Sequence, residues 1–165
     1  MDSAGETRRA GPASESLAPD RARAVEAVRS LARASSVLER SSRHLSLAHY
    51  RVLAAIAQGD ERASNIARKL AIGKPTVSVA VESLCQRGLL VRAGVAGDQR
   101  AAALRLTTAG ETLLEQVETE MISRIYDLCD RAPDGEQLIE SLVWLGAAMD
   151  SRLADRLAAR RGESR

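Results

Sequence analysis

A short stretch that begins at Lys74 combines residue types that suit contact with a nucleic acid. If this stretch opens a helix, the first turn presents one cation, two hydroxyl groups and backbone N–H groups that no preceding turn satisfies. A helix end of this kind suits phosphate oxygens and the edges of bases. The residues that we expect at this contact are Lys74, Pro75, Thr76, Ser78 and Val79.

A second candidate contact lies between two predicted strands. Apolar residues at 89–91, and again at 104 and 106, are typical of strand positions, and the loop between them carries Asp98 and Arg100. An arginine near the tip of a hairpin can place its guanidinium in a DNA minor groove. The Asp98 carboxylate can hold that guanidinium in one geometry; the alternative is a flexible surface pair of little energetic value. A helix–turn–helix followed by such a hairpin predicts a winged helix.

The helix that presents the first contact, called the recognition helix below, is predicted over 75–87, and Gly88 suits a left-handed C-terminal cap. Its apolar residues recur at three- and four-residue steps and form one face: Val77, Ala80, Val81 and Leu84. A shorter helix is predicted before it, over 63–70. Ser64 and Asn65 open that helix and are expected to bind backbone phosphates.

Four other helices complete the predicted fold. They extend from about 20 to 41, from 47 to about 58 after an N-cap at Ser46, from a cap at Thr107 or Thr108 to about 129, and from a cap at Asp134 to beyond 157. Thr108 and Glu111 also have the spacing of a capping box. The predicted fold class is therefore mainly α with a small β-hairpin wing.

The two long C-terminal helices carry more apolar surface than one small domain needs. In the last helix, apolar residues repeat at near-heptad spacing from 138 to 157. An isologous dimer would place two recognition helices about 34 Å apart, one turn of DNA, which predicts a roughly palindromic operator. The alternative is a three-helix cap folded over its own core. The expected divisions are a disordered tail over 1–17 and a single domain over 18–165, with a DNA-binding lobe at 45–108 and dimerisation helices at 18–42 and 108–160.

Charge is distributed unevenly along the chain, although its net value is only +2. From 62 to 105, eight cations oppose two acids, a net charge of +6. From 111 to 150, two cations oppose ten acids, a net charge of −8. The basic segment is the one with the predicted DNA-binding shape, which is typical of a protein that presents one face to phosphate.

The motifs at these positions resemble those of the multiple-antibiotic-resistance regulator (MarR) family of bacterial repressors. The matching stretches are LSLAHYRVLAAIA, KPTVSVAVESLCQRGLLVR, GDQR and LRLTTAG, in this order between about 45 and 114. Where many relatives carry a polar or basic residue after the recognition-helix serine, this chain has Val79, which can contact a thymine methyl group. The resemblance implies a cytoplasmic homodimer that binds double-stranded DNA and responds to a small aromatic or anionic effector.

Candidate effector-binding residues are less clearly marked. Similar regulators bind ligands in a crevice between the DNA-binding lobe and the dimerisation helices, and the residues expected there are His44, His49, Tyr50 and Trp144. A thiol trigger at Cys85 or Cys129 remains an alternative, as does a winged helix that binds protein instead of DNA. Two cysteines without an export signal are expected as reduced thiols in the cytoplasm. No sequence motif indicates an enzyme, a cofactor, a metal site or a membrane span.

Arg100→Ala is expected to weaken operator binding by on the order of 1–3 kcal/mol, because it removes the cation proposed for the minor groove. A gel-shift titration measures this loss directly. Unchanged affinity would remove the wing from the mechanism.

Overall fold

The computed structural model describes the backbone of residues 20–95 and 98–162, with side chains given except at 95, 98–102 and 160–162. The tail predicted over 1–17 lies outside this part of the chain. The elements in chain order are α1 (Arg21–Glu39), α2 (Leu47–Ala57), α3 (Ala63–Lys69), α4 (Lys74–Gln86), β1 (Leu90–Val95), β2 (Asp98–Leu106), α5 (Thr108–Cys129) and α6 (Gly135–Gly162). The predicted fold class, mainly helical with a small two-stranded sheet, is confirmed. The chain divides into two units, and the boundary between Ser35 and Ser36 lies inside α1.

Polar side chains fix three of the helix starts. The Ser46 hydroxyl accepts a hydrogen bond from the His49 N–H at 3.2 Å, and an Asp134 oxygen accepts one from the Gln137 N–H at 2.9 Å. Both caps were predicted and both are confirmed. At α5 the cap is Thr107, whose hydroxyl oxygen accepts from the Gly110 N–H at 3.0 Å. The capping box expected for Thr108 is therefore wrong, because the third helical position after the cap is a glycine.

The recognition helix α4 buries the apolar face that its sequence predicts. All four of its periodic residues are buried, and Val77 and Leu84 have no exposed surface. The helix begins and ends one residue earlier than predicted. Gly88 follows it with φ = +69°, the left-handed conformation expected of it.

The two strands pair antiparallel and form the wing. Leu90 lies opposite Leu106, and the register shifts between Ala93 and Val95. The Leu104 N–H also donates to the Glu61 carbonyl at 2.7 Å, which ties β2 to the connection between α2 and α3. The wing is therefore fixed to the helix–turn–helix by backbone hydrogen bonds.

Burial separates the winged helix from the long helices. The main apolar core joins α2, α3, α4, the wing and the part of α5 up to Met121. Its most deeply buried members are Val52, Leu53, Ile66, Val77, Val81, Leu84, Leu90 and Val117. By contrast, α6 buries none of its described side chains, and α1 buries none either. None of the helices described is both long and apolar enough to span a membrane.

One junction connects the recognition helix, the wing and α5. The Leu89 N–H donates to the Leu84 carbonyl at 3.0 Å, and the Thr107 N–H donates to the Leu89 carbonyl at 3.1 Å. The Thr107 hydroxyl donates to the Gly88 carbonyl at 2.7 Å. Gly110 is buried directly against the Leu89 carbonyl, and a Cβ atom there would overlap its oxygen. The first turn of α5 thus rests on the exit of the recognition helix.

Gly110→Ala is expected to lower the free energy of unfolding by about 1–3 kcal/mol, because the Leu89 backbone must move to admit the methyl group. Urea denaturation measures the change. Gly146→Ala is the matched control: it also lies within a helix, an added Cβ would meet nothing within 4 Å, and alanine there is expected to stabilise α6 by about 0.5–1 kcal/mol. Equal effects at the two sites would contradict the packing described for the junction.

Candidate nucleic-acid interface

The start of α4 presents all five of its predicted contact residues to solvent. Lys74, Pro75, Thr76, Ser78 and Val79 are exposed, and Val79 keeps 71% of its surface accessible. A valine this exposed contributes nothing to the core, so its methyl groups are available to a partner. The N-cap is Gly73, and no side chain accepts a hydrogen bond from the first turn. The N-terminal end of this helix therefore keeps the partial positive charge that favours an anion.

The two predicted residues of α3 differ in their surroundings. Ser64 is exposed, whereas Asn65 is half-buried and its side-chain oxygen accepts a hydrogen bond from the Arg68 guanidinium. The N-cap of α3, Arg62, provides no side-chain hydrogen bond to the helix. Sequence reasoning did not identify the link between Asn65 and Arg68, although their three-residue spacing on a helix is the signal for it.

The two lysines of the chain have opposite surroundings. Lys69 lies 3.0 Å from an Asp60 carboxylate oxygen and donates to the Gln58 side-chain oxygen at 2.8 Å. Lys74 is exposed, and within the described part of the chain no carboxylate lies within ion-pair distance of it. Lys69 is thus engaged within the fold, and Lys74 is available to an external anion.

The wing is connected to the recognition helix by a charge pair. Arg92 of β1 donates to a Glu82 carboxylate oxygen of α4 at 3.2 Å. Both side chains are more than half exposed, so the pair orients more than it stabilises. Asp98 and Arg100 belong to β2, but their side chains lie outside the described residues. Their contact with DNA stays a prediction.

The four candidate effector residues lie in different surroundings. His44 is in the connection between α1 and α2, and its Nε2 is 3.9 Å from a Glu120 oxygen. The Nδ1 of His49 is 3.1 Å from the Ser46 hydroxyl. Trp144 is 62% exposed on α6. Of the four, Tyr50 alone is among the described residues that line a groove beside α5.

A groove of about 440 Å³ lies between α2, α5 and the start of α6. Most of its wall is aliphatic: Leu38, Met121, Ile122, Ile125 and Ile139. Its polar groups are the hydroxyls of Tyr50 and Tyr126 and the carboxylate of Glu118. Burial and the hydrogen-bonded, negatively charged Glu118 raise the pKa of Tyr50. The Tyr50 hydroxyl therefore stays protonated at neutral pH. Sequence reasoning missed Glu118, because nothing in its neighbourhood along the chain marks it.

A second cluster of polar contacts lies beside the C-terminal end of the recognition helix. The Arg87 guanidinium donates to the His44 carbonyl at 2.9 Å. Burial, and to a lesser extent the Arg87 charge, lowers the pKa of His49 below its usual 6.5. A hydrogen bond from Ser42, together with Gln116 and His44, lowers the pKa of Glu120 against the opposing effect of burial. Arg87 thus ties the end of α4 to the connection between α1 and α2.

The two thiols are free, with Cys85 half-buried on α4 and Cys129 buried at the end of α5. Among the described residues, no three histidine, cysteine or acidic side chains are grouped so that they could hold a metal ion.

Comparison with known proteins fits this geometry. Residues 45–101, which include α2, α3, α4 and β1, match the sequence model of the MarR family. This segment of the chain is similar to the MarR family, and the structure gives it the shape of a winged helix. Among curated protein sequences, none matches the chain.

Solved structures share this fold at low sequence identity. CouR from Rhodococcus jostii, bound to p-coumaroyl-CoA, is 19% identical with a TM-score of 0.58, over 78% of this chain and 93% of that one. BpsR from Bordetella bronchiseptica, whose DNA binding is regulated by 6-hydroxynicotinic acid, is 20% identical with a TM-score of 0.61, over 85% and 98%. Apo MarR from Escherichia coli is 16% identical with a TM-score of 0.62, over 79% and 96%. The MarR fold therefore extends beyond the winged helix into the long helices.

His49 is expected to titrate below pH 6.5, and Arg87→Gln is expected to raise its midpoint part of the way back. Because the folded-state pKa is depressed, the unfolded chain binds the proton more tightly. This residue's contribution to stability is therefore present above pH 6.5 and is lost as the pH falls through the folded-state pKa. An NMR titration of the histidine ring protons measures the midpoint. A midpoint at or above 6.5 in the native protein would contradict the burial described for this ring.

Proposed function

We propose that this chain is a homodimeric, sequence-specific DNA-binding transcriptional regulator, a ligand-responsive repressor that binds a pseudo-palindromic operator. The observation that carries this proposal is the exposed N-terminal end of α4, where Lys74 and uncapped backbone N–H groups share one surface. The same surface belongs to the segment that matches the MarR family. A basic helix end on a helix–turn–helix is the arrangement that enters a major groove.

The proposed contacts follow from exposure and chemistry. Thr76 and Ser78 hydrogen-bond to base edges, and Val79 packs against a thymine methyl group. Lys74 binds a phosphate, as do Ser64 and the α3 turn that it opens. The wing, with Asp98 holding Arg100, enters the adjacent minor groove.

Exposed apolar side chains support the dimer. On α6 the exposed large residues are Leu138, Leu142, Val143, Trp144, Leu145 and Met149. In α1, Val25, Val28 and Leu31 are also exposed. Contiguous apolar surface on long helices is typical of an oligomer interface. A two-fold axis through these helices presents two recognition helices to successive turns of one DNA face.

Control by a ligand follows from the groove beside α5. A molecule bound there contacts Tyr50 of the winged helix and residues of α5 and α6 at once. Occupancy that favours a recognition-helix separation other than about 34 Å lowers the population of the DNA-competent dimer. We place the regulator in the cytoplasm, where its DNA is.

Lys74→Ala is expected to weaken binding to a duplex from the promoter upstream of its own coding sequence, uniformly across sequences, and to reduce the salt slope by about 1. The lost interaction is one neutralised phosphate. Fluorescence anisotropy at several salt concentrations measures both quantities. Lys69→Ala is the matched control, since Lys69 is already paired with Asp60, and it should leave the slope unchanged.

Two results would contradict the proposed function. One is a protein that sediments as a single subunit at the concentrations used for binding. The other is a native protein that shows no salt-dependent affinity for the duplex, which would favour a winged helix that binds protein instead.

A further inference from the structure

The groove beside α5 has an unusual charge for a pocket that would receive an aromatic acid. Glu118 is the one acidic side chain among its described lining residues, and no lysine, arginine or histidine is among them. The nearby Arg124 lies 3.4 Å from Asp127 and is engaged in that pair. A carboxylate ligand would therefore meet a like charge without a compensating cation.

The hydrogen-bonding groups of the groove favour the same conclusion. The Tyr50 hydroxyl and the Glu118 carboxylate line the same groove, so a ligand carboxylate that accepted a hydrogen bond from Tyr50 would lie close to a like charge. Glu118 is half-buried at the edge of an aliphatic wall and can accept several hydrogen bonds. Apart from the two tyrosine hydroxyls, no donor side chain is among the residues described around the groove, and a positively charged donor suits the carboxylate best.

The aromatic rings add a second attraction for a cation. Tyr50 and Tyr126 both line the groove, and a cation within reach of a tyrosine face is attracted by the ring quadrupole. The aliphatic residues around them provide an apolar surface for the rest of the molecule. The volume of about 440 Å³ lies within the range of small-molecule sites, roughly 300–1,000 Å³.

We propose that the groove binds an aromatic ammonium compound, with the positive charge at Glu118 and the ring against the aliphatic wall, rather than an aromatic acid. This proposal rests on the proposed function only where it assumes that a bound ligand changes DNA binding. Binding of the ligand to the groove does not depend on the proposed function. The ligand class differs from those of CouR and BpsR, whose ligands are p-coumaroyl-CoA and 6-hydroxynicotinic acid.

Three probes of the same shape separate charge from size: para-tert-butylbenzylamine, para-tert-butylbenzyl alcohol and para-tert-butylbenzoate. At pH 7 the first is a cation, the second is neutral and the third is an anion. Isothermal titration calorimetry of the full chain with each probe is expected to show the amine binding about tenfold or more tighter than the benzoate, with the alcohol between them.

Glu118→Gln is expected to reduce the preference for the amine about tenfold, because the amide keeps the shape of the carboxylate and loses its charge, so that only the attraction of the tyrosine rings remains. Glu115→Gln is the matched control: Glu115 lies one turn earlier on α5, is exposed and does not line the groove, so its loss should leave the preference intact. Tyr50→Phe retains the charge of Glu118 and should retain the preference, which tests the assignment even if the glutamine variant fails to fold. Thermal melts identify such a failure.

The proposal is overturned if the native protein binds the benzoate as tightly as the amine, or binds none of the three probes. It is also overturned if a folded Glu118→Gln variant prefers the amine as strongly as the native protein does, or if Tyr50→Phe loses that preference. DNA binding is measured separately on the ligand-free protein. A chain that binds the amine but not DNA would leave this assignment standing and refute the proposed function.

Discussion

The contact between Gly110 and the Leu89 carbonyl is the constraint on which the rest of the structure depends. The Leu89 carbonyl accepts a hydrogen bond from the Thr107 N–H, and the first turn of α5 packs directly against it. No side chain therefore fits at position 110. That contact joins three elements with different tasks: the exit of the recognition helix, both strands of the wing and the first turn of α5. Since backbone groups make the junction, its geometry does not adjust as a side-chain rotamer would. The first turn of α5 and the exit of α4 therefore share one backbone contact.

Helix α5 begins at this junction and extends to the groove. Glu118 lies eight residues beyond Gly110, about 12 Å along the helix axis at 1.5 Å per residue. Leu114, Val117 and Met121 bury one face of the helix in the core over its first fourteen residues. Its second half is largely exposed and borders the groove. One helix thus connects the exit of α4 with the candidate ligand groove, which Glu118 and Met121 of α5 line. The hydrogen bond from Arg87 to the His44 carbonyl ties the same α4 exit to the connection before α2.

The sequence predicted the features that depend on local pattern and missed those that depend on distant neighbours. The buried face of α4 and the positive φ of Gly88 follow from periodicity and from the freedom of glycine, and both are present. The choice between Thr107 and Thr108 could not be made locally, because either can cap a helix; the close approach of Leu89 decides it. Ala71 has φ = +53° in the turn of the helix–turn–helix. A positive φ is uncommon for residues other than glycine, so the presence of an alanine could not predict this conformation. Glu118 gains its significance only when α2 brings Tyr50 beside α5.

The uneven distribution of charge follows from this arrangement. A regulator that binds DNA through a basic face gains from acidic residues elsewhere, since they disfavour wrong orientations on the duplex. Most of the acids of α5 and α6 can serve this purpose in solvent. Glu118 differs because it is half-buried in an apolar wall, where an unneutralised carboxylate is costly. A cationic ligand paired with Glu118 would offset that cost. Such a ligand can shift the conformational equilibrium only by its difference in affinity for the two states. In the proposed regulator that difference comes from the pairing of the ligand charge with Glu118, the one acidic side chain among the residues described around the groove.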